Sequence, residues 1–346
     1  MNRHALNPLI KPEMVEPSRP GYRVKGAFNP GAVEHNGEIV LLLRVAEDCI
    51  PKDGYTSVPY YSFKNGIGIP EILEKSLNDP DIKLKDTRGV VYKGQDYLST
   101  LSHIRLARSR DGVHFTVEEK PFIYPCEPGE CFGVEDARVT KLDDTYYLTY
   151  TAVSPDGWAT ALAATKDFLT IERKGLIFAP PNKDISIFPE KVNGKYCALH
   201  RPHNQGFGKP SIWYAESTDL LHWGNNQCLL RPRNTEWECI KIGGGAHPIK
   251  TADGWLEIYH GKGEGDKYSL FLLLLDPNNP GKVIKRGEKP LVYPEMNYEK
   301  HGFFPNVIFS NGLVVKDDGS ILLYYGACDE TACLIETSIN ELINSF

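Results

Sequence analysis

The stretch LDDTYYLTYTAV, residues 142–153, joins a short acidic turn to a strand rich in tyrosine and threonine. Asn, Asp and Gly favour tight hairpin turns, and β-branched and aromatic residues suit a pleated sheet. Four similar units occur elsewhere: HNGEIVLLLRV at 35–45, VNGKYCALHRP at 192–202, ADGWLEIYHG at 252–261 and KDDGSILLYYGAC at 316–328. The sequence therefore predicts a β-hairpin at five places.

A further strand is predicted after each hairpin. These strands lie at 103–115, 158–171, 210–223, 268–276 and 331–342. One such unit would be an unstable small sheet, whereas five arranged radially bury one another's faces. A β-sandwich of many hairpins is the alternative, but it does not require five similar units. We predict an all-β fold, a five-bladed β-propeller with a central cavity, formed by residues 1–346 as a single domain.

Residues 46–98 separate the first unit from the second by far more than the later spacings, so they form an insertion in the first blade. The segment contains four tyrosines, Tyr55, Tyr60, Tyr61 and Tyr92, with little clean alternation. Long segments of this kind in compact domains are often functional. We expect an ordered loop near the mouth of a ligand site.

Composition excludes some classes of partner. The chain of 346 residues has 41% hydrophobic residues and a formal charge of −6, which disfavours nucleic acid and anionic membranes. It has neither a signal-peptide pattern nor an apolar run of ~18 residues, so we expect a cytoplasmic protein. Its eight cysteines lack the close pairs typical of zinc sites, so we expect reduced thiols and no metal.

Polar side chains recur at matching places in all five units, before the first strand or at the end of the second. They are Asn29, Arg44, Glu47 and Asp48; Glu135, Asp136 and Arg138; Glu190, Lys191, His200, Arg201 and His203; His247, Tyr259, His260 and Lys262; and Asn306 and Asp329. Any one of them could be a surface ion pair or a satisfied core residue. Because charges are costly to bury without compensation, their recurrence predicts a central polar pocket.

The residue types in this pocket indicate its chemistry. Arg44, Arg138, Lys191 and Arg201 favour binding of phosphate or sulfate. Aromatic residues would provide platforms for sugar rings. Inverting hydrolysis needs an acid and a base, whereas attack by phosphate needs only the acid. The pattern therefore favours phosphorolysis of a glycoside.

Five motifs carry a family resemblance, in order, across roughly residues 20 to 335: GAFNPGAV with LLLRVAED, VEDARVTKLDDTYYLTYTA, FPEKVNGKY with LHRP, IGGGAHPIKTADGWLEIYHG, and YYGACD. The set resembles the inverting mannoside phosphorylases of glycoside hydrolase family 130. The resemblance implies a five-bladed propeller that cleaves β-mannosides with inorganic phosphate to give α-mannose 1-phosphate. It implies a glycosyltransferase-type reaction that needs phosphate as co-substrate and no cofactor.

The resemblance also implies roles for individual residues. Asp136 would be the catalytic acid, reaching the glycosidic oxygen through a hydroxyl of the mannose. The phosphate site would comprise Arg44, Arg138, Lys191, Arg201, Tyr259 and His260. Asn29 and Asp329 would hold the mannose, and by residue type Glu135, His203 and Phe304 are further candidates for contact with the substrate. Arg138 could instead orient Asp136.

Several alternatives stay open on sequence alone. The insertion and the VEDAR motif favour β-1,2-mannobiose or β-1,2-oligomannan as the substrate over β-1,4-mannooligosaccharides or mannosylglucose. A hydrolase would use Glu47, Glu135 or Glu190 as the base that activates water. A non-catalytic glycan-binding propeller is the third possibility. We expect a homo-oligomer, a dimer.

Overall fold

The computed structural model describes residues 1–346 except 51, 86, 204 and 205. Strands dominate the described residues, where five sheets of four or five strands follow one another along the chain. The strands up to residue 117 are β1 (Asn2–Arg3), β2 (Tyr22–His35), β3 (Glu38–Cys49), β4 (Tyr55–Lys64), β5 (Ile67–Ser76), β6 (Ile82–Leu84), β7 (Gly89–Tyr92), β8 (Gln95–Leu98), β9 (Leu101–Ser109) and β10 (Thr116–Val117). Blade 1 has the order β10-β9-β3-β2, which makes β2 an edge strand.

The insertion is a sheet structure rather than the ordered loop that we expected. Strands β4 and β5 form an antiparallel pair, and β6, β7 and β8 form a second small sheet. The amide of Tyr61 donates to the carbonyl of Cys131 at 2.8 Å, and the rings of Tyr97 and Phe132 have centroids 5.1 Å apart. These contacts hold the insertion against the segment that leads into blade 2.

The remaining elements complete four more sheets. Blade 2 contains β11 (Val134–Leu142), β12 (Thr145–Ser154), β13 (Gly157–Thr165) and β14 (Glu172–Phe178). Blade 3 contains β15 (Asn182–Ile187), β16 (Tyr196–Pro202), β17 (Ile212–Ser217) and β18 (Trp223–Leu230). Blade 4 contains β19 (Lys241–Gly243), β20 (Ile249–Thr251), β21 (Gly254–Lys262), β22 (Tyr268–Leu275) and β23 (Val283–Arg286), followed by helix α1 (Asn297–Lys300). Blade 5 contains β24 (Ile308–Val315), β25 (Ser320–Ala327) and β26 (Thr331–Ser338), followed by α2 (Ile339–Asn344).

The all-β propeller prediction is confirmed by these sheets. The predicted hairpins correspond to β2–β3, β11–β12, β15–β16, β20–β21 and β24–β25. Short 3₁₀ turns lie at Pro12–Met14, Pro128–Glu130 and Glu264–Asp266. Among the described residues, no helix has the length and apolar character needed to cross a membrane.

Apolar cores lie between successive sheets, as the radial arrangement requires. One core joins Leu42 of blade 1 to Leu148 of blade 2, and another joins Leu272 of blade 4 to Leu323 of blade 5. Each blade therefore covers a face of the next one. Burial of this kind is the main favourable contribution to folding.

The ring closes where the last blade meets the first. Strand β1 pairs with β26, and β2 packs against β24. The side-chain amide of Asn311 donates to the backbone carbonyl of Asn29 at 3.2 Å. Near this contact a Cβ atom on Gly31 would overlap the backbone of Ala137, and one on Gly312 would overlap Ala32. Only glycine fits at these two positions, so the strands around the axis touch through their backbones.

Candidate active site

A cavity of about 630 Å³ lies at the convergence of the inner strands. The predicted site residues that line it are Asn29, Arg44, Glu135, Asp136, Arg201, His260, Phe304 and Asp329. The insertion contributes Lys85, Arg88, Gly89, Gln95, Asp96, Tyr97 and Leu98 to one wall. The cavity is thus partly covered by the additional sheets of blade 1.

A break in strand register brings two acidic residues to the cavity together. Consecutive residues of a regular strand point to opposite faces. In β11 the pairing with β12 shifts between Glu135 and Arg138, and Asp136 has a φ of 52°. Such irregularities re-aim side chains next to active sites. Here the shift lets Glu135 and Asp136 both face the cavity.

Arg44 holds these two carboxylates. Its Nη1 donates to Oδ1 of Asp136 at 3.1 Å, and its Nη2 donates to Oε1 of Glu135 at 2.9 Å. Its Nε donates to Ser102 at 3.0 Å, and the guanidinium lies 4.8 Å from the ring centroid of Phe28. Because each guanidinium nitrogen donates to a protein oxygen, the geometry of Arg44 fits positioning of the acids better than phosphate binding.

Asp136 is also bound by Asn29, whose Nδ2 donates to Oδ1 at 3.0 Å. Burial alone would raise the pKa of Asp136, but Arg44, Lys183 and the Asn29 hydrogen bond outweigh it and lower that pKa. The pKa of Asp329 shifts in the opposite direction. Burial raises the pKa of its carboxyl to about 6 despite the opposing effect of Arg44. The two carboxyl groups of this cavity therefore titrate in different pH ranges.

Basic side chains line another part of the cavity: Lys183, Arg201, Lys241 and His260. Arg201 and His260 share one carboxylate, Asp184, whose Oδ2 lies 2.7 Å from Nε of Arg201 and 3.3 Å from Nε2 of His260. Nη1 of Arg201 is buried and has no hydrogen-bond partner among the described residues. Such a group of basic side chains with a free donor is chemically suited to binding an anion.

Burial and neighbouring charges change the pKa values of two of these basic residues. Burial, together with the charges of Arg201 and Lys183, lowers the pKa of Lys241 well below its usual value. Burial also lowers the pKa of His260 to about 4, against the opposing effect of Asp184. An entering anion would relieve this repulsion, and it would favour the protonated form of Lys241.

Arg138 lies behind the cavity wall. Its Nε donates to the carbonyl of Gly245 at 2.6 Å, and its Nη2 donates to the carbonyl of Gly244 at 3.0 Å. Its Nη1 donates to the backbone carbonyl of Asp136 at 3.3 Å. Of the two roles considered from sequence, the geometry favours orientation of Asp136 over contact with phosphate.

Two residues predicted for the phosphate site lie elsewhere. Lys191 is exposed, and its Nζ lies 4.4 Å from the ring centroid of Tyr196. Tyr259 is buried between sheets, where its hydroxyl donates to Glu238 at 3.0 Å. Because neighbours on a strand alternate, His260 faces the cavity and Tyr259 faces away from it. The geometry gives no support to a phosphate contact by either residue.

Other predictions fall at the margin of the cavity or outside it. His203 is absent from the cavity lining among the described residues, but its ring meets Trp158 of the lining edge to face at 5.2 Å. Glu47, one base considered for a hydrolase, is buried and accepts hydrogen bonds from the Ser18 amide and hydroxyl. Glu190, another, pairs with Lys250 at the surface. Of the three proposed bases, Glu135 is the one in the lining.

Sequence reasoning missed two of the cationic residues. Lys241 stands directly before the IGGGAH motif, and Lys183 precedes Asp184 just before the FPEK motif. A search for charged residues at the first strand of each blade would have found both. The insertion lies beside the cavity, as expected from the sequence, although it forms small sheets there and not a loop.

The chain matches the family model for β-1,4-mannooligosaccharide phosphorylase of glycoside hydrolase family 130 over residues 82–346. It belongs to this family. Among family 130 enzymes, the β-1,2-mannobiose phosphorylase of Listeria innocua is 45% identical, over 99% of this chain and 97% of that relative. The 1,2-β-oligomannan phosphorylase of a Thermoanaerobacter species is 41% identical, over 69% of this chain and 82% of the relative.

More distant and structural relatives agree with this assignment to family 130. The β-1,4-mannooligosaccharide phosphorylase of Ruminococcus albus is 32% identical, over 68% of this chain and 73% of its own length. The solved structure of the Listeria innocua β-1,2-mannobiose phosphorylase in complex with β-1,2-mannobiose superposes with a TM-score of 0.95. That match covers 100% of this chain and 99% of the other at 44% identity.

Proposed function

We propose that this family 130 member is an inverting β-mannoside phosphorylase. Its substrates are β-1,2-mannobiose or short β-1,2-oligomannans and inorganic phosphate, and its carbohydrate product is α-mannose 1-phosphate. The reaction transfers a mannosyl group to phosphate and needs no cofactor. The observation that carries the proposal is a single cavity that holds both the Asp136 carboxylate and the wall of Lys183, Arg201, Lys241 and His260.

Phosphate would bind at the cationic wall. Arg201 offers a planar fork for two phosphate oxygens, and Asp184 fixes its orientation through their 2.7 Å ion pair. Lys183 and Lys241 lie near it, and a bound anion would favour the protonated form of Lys241. Since phosphate arrives as a nucleophile, no residue has to act as a base toward it.

Asp136 would supply the proton for the departing sugar. The hydrogen bonds from Asn29 and Arg44 both reach Oδ1, which makes Oδ2 the oxygen we assign to carry the proton. The cations that lower the pKa of Asp136 include Lys183, which belongs to the anion site. Binding of phosphate offsets that charge, so protonation of Asp136 becomes easier when the nucleophile is in place.

The mannoside would occupy the space between Asp136 and the aromatic part of the lining. Asn29 and Asp329 stand beside the acid, and Trp158 and Phe304 provide flat apolar surfaces. Rings of this kind pack well against the faces of sugars while their neighbours bind hydroxyl groups. The β-1,2 linkage is supported by greater identity to the β-1,2 enzymes than to the β-1,4 enzyme.

A phosphate-dependence assay tests the proposal. The protein is incubated with β-1,2-mannobiose or β-1,4-mannobiose, with and without phosphate, and the products are followed by phosphorus and proton NMR. We expect α-mannose 1-phosphate from the β-1,2 disaccharide only when phosphate is present. Release of mannose at the same rate without phosphate would indicate a hydrolase, and binding without turnover would indicate a glycan-binding propeller.

A further inference from the structure

Glu257 is a buried carboxyl group outside the cavity lining. It lies on β21, is 1% exposed, and accepts a hydrogen bond at Oε1 from the amide of Gly245 at 2.8 Å. Its Oε2 is buried and has no hydrogen-bond partner in the described part of the chain. The mechanism proposed above gives this group no role, although a buried acid with an unpaired oxygen is costly.

Gly245 links Glu257 to Arg138. The amide of Gly245 binds Glu257, and its carbonyl accepts from Nε of Arg138 at 2.6 Å. A Cβ atom at Gly245 would overlap the backbone carbonyl of Ile258, so this segment packs tightly against β21. A change at Glu257 is therefore transmitted to the carbonyl that Arg138 uses.

Arg138 in turn contacts both the candidate acid, Asp136, and the carboxylate of the cationic wall, Asp184. Its Nη1 donates to the backbone carbonyl of Asp136, and its Nη2 lies 3.3 Å from Oδ1 of Asp184. Asp184 is the carboxylate that orients Arg201 in the cationic wall. The chain of contacts thus runs from Glu257 through Gly245 and Arg138 to the candidate acid and to the anion site.

We infer that Glu257 is a positioning residue. As a neutral carboxylic acid it holds Gly245, and this keeps Arg138 in place to contact Asp136 and Asp184. This inference rests on the proposed function for its effect on catalysis. It differs from a purely structural role because it makes the reaction rate depend on the protonation of a group that touches no substrate.

The surroundings of Glu257 explain why its protonation matters. Burial raises its pKa to about 8, and the Gly245 hydrogen bond and the charge of Arg138 oppose that rise only in part. The charged group that acts on it from a neighbouring strand is Arg138 of β11. Once ionised, Glu257 would attract Arg138 away from the Gly245 carbonyl and from Asp184.

Three variants test this inference in the whole protein. Glu257→Leu removes the acceptor for Gly245, Glu257→Gln keeps a neutral acceptor, and Glu299→Gln is the matched control. Glu299 is another fully buried glutamate, and it accepts from Arg3 at 2.7 Å and from Tyr325 at 2.8 Å. Neither Arg3 nor Tyr325 belongs to the cavity lining.

The first measurement is phosphorolysis from about pH 6 to about pH 9, separating kcat from KM. We expect Glu257→Leu to lower kcat by about tenfold or more, and Glu257→Gln to restore most of it at the acidic end. The wild-type rate should fall as Glu257 ionises, while the Glu257→Gln rate should not show that fall. The inference is overturned if Glu257→Leu lowers kcat no more than Glu299→Gln, or if the alkaline fall persists in Glu257→Gln.

The second measurement does not depend on activity. In the wild type the folded state keeps the Glu257 proton over a pH range in which the unfolded state has lost it, so stability relative to Glu257→Gln should decline as pH rises toward about 8 and then level off. Parallel melting curves for the two proteins at every pH would contradict the neutral-acid assignment. A wild type that makes no mannose 1-phosphate but shows this decline would instead contradict the proposed function.

Discussion

Arg138 donates a hydrogen bond from Nη1 to the backbone carbonyl oxygen of Asp136 over 3.3 Å. Asp136 has a φ of 52°, a conformation that non-glycine residues adopt only with support from their surroundings. Arg138 therefore fixes the direction in which the Asp136 side chain leaves the strand. Its hydrogen bonds to Gly244 and Gly245 anchor that support in blade 4.

Replacing Arg138 by lysine should separate orientation from phosphate binding. A lysine ammonium cannot reach the carbonyls of Gly244, Gly245 and Asp136 together, because it lacks the rigid fork. We expect kcat to fall by about tenfold or more, with a smaller change in the KM for phosphate. Steady-state kinetics in both substrates measures this. Weaker phosphate binding at an unchanged kcat would place Arg138 in the anion site instead.

Asp136→Asn should abolish most of the activity without unfolding the protein. Asparagine has the same shape and tolerates positive φ, but it carries no acidic proton. We expect the rate of mannose 1-phosphate formation to fall by about 10²–10⁴, the usual contribution of general acid catalysis. Calorimetric titration with β-1,2-mannobiose should show retained binding. An active variant would remove Asp136 from the role of acid.

Lys241→Met should weaken phosphate binding selectively. A hydrogen bond to a charged group contributes about 1.5–3 kcal/mol, so the KM for phosphate should rise by about ten- to a hundredfold. The KM for mannobiose should change little. Lys191→Met is the matched control, because Lys191 is exposed and packs on Tyr196 away from the cavity. An equal effect of the two substitutions would show that the cationic wall is misassigned.

Asp329 should make stability depend on pH in the acidic range. Its folded-state pKa is raised to about 6, whereas an unfolded aspartate titrates near ~3.9. Between these values the folded state holds a proton that the unfolded state has released, so stability falls as pH rises and is level above about pH 6. Melting temperatures of the wild type and Asp329→Asn across this range should show the difference. A constant difference would place its pKa near the ordinary value.

The sequence was sufficient to predict the cavity residues that belong to recognisable motifs. The five hairpins follow from turn residues and strand composition, which are local properties, and they place Arg44, Asp136 and Asp329 near one axis. The shift in register that turns Glu135 and Asp136 to the same side has no such local signature.

Local strand geometry explains why two residues predicted for the phosphate site lie away from the cavity. Tyr259 and His260 are adjacent in the same motif, yet a strand sends them to opposite faces. Lys191 lies beyond the end of β15, where the chain has already left the axis. Lys241 and Lys183 were missed because neither repeats a motif, although Lys241 begins β19 and Lys183 is the second residue of β15. The two sheets of the insertion were missed because their strands alternate poorly.

The hydrogen bond from Asn311 to Asn29 joins parts of the chain that are 282 residues apart. Asn29 is also the residue that binds the candidate acid in blade 2. Contacts between distant parts of a chain form slowly, because the intervening loop must first be closed. Refolding would therefore restore sheet content before it restores turnover, and recovered activity would report the time at which the last blade reaches the first.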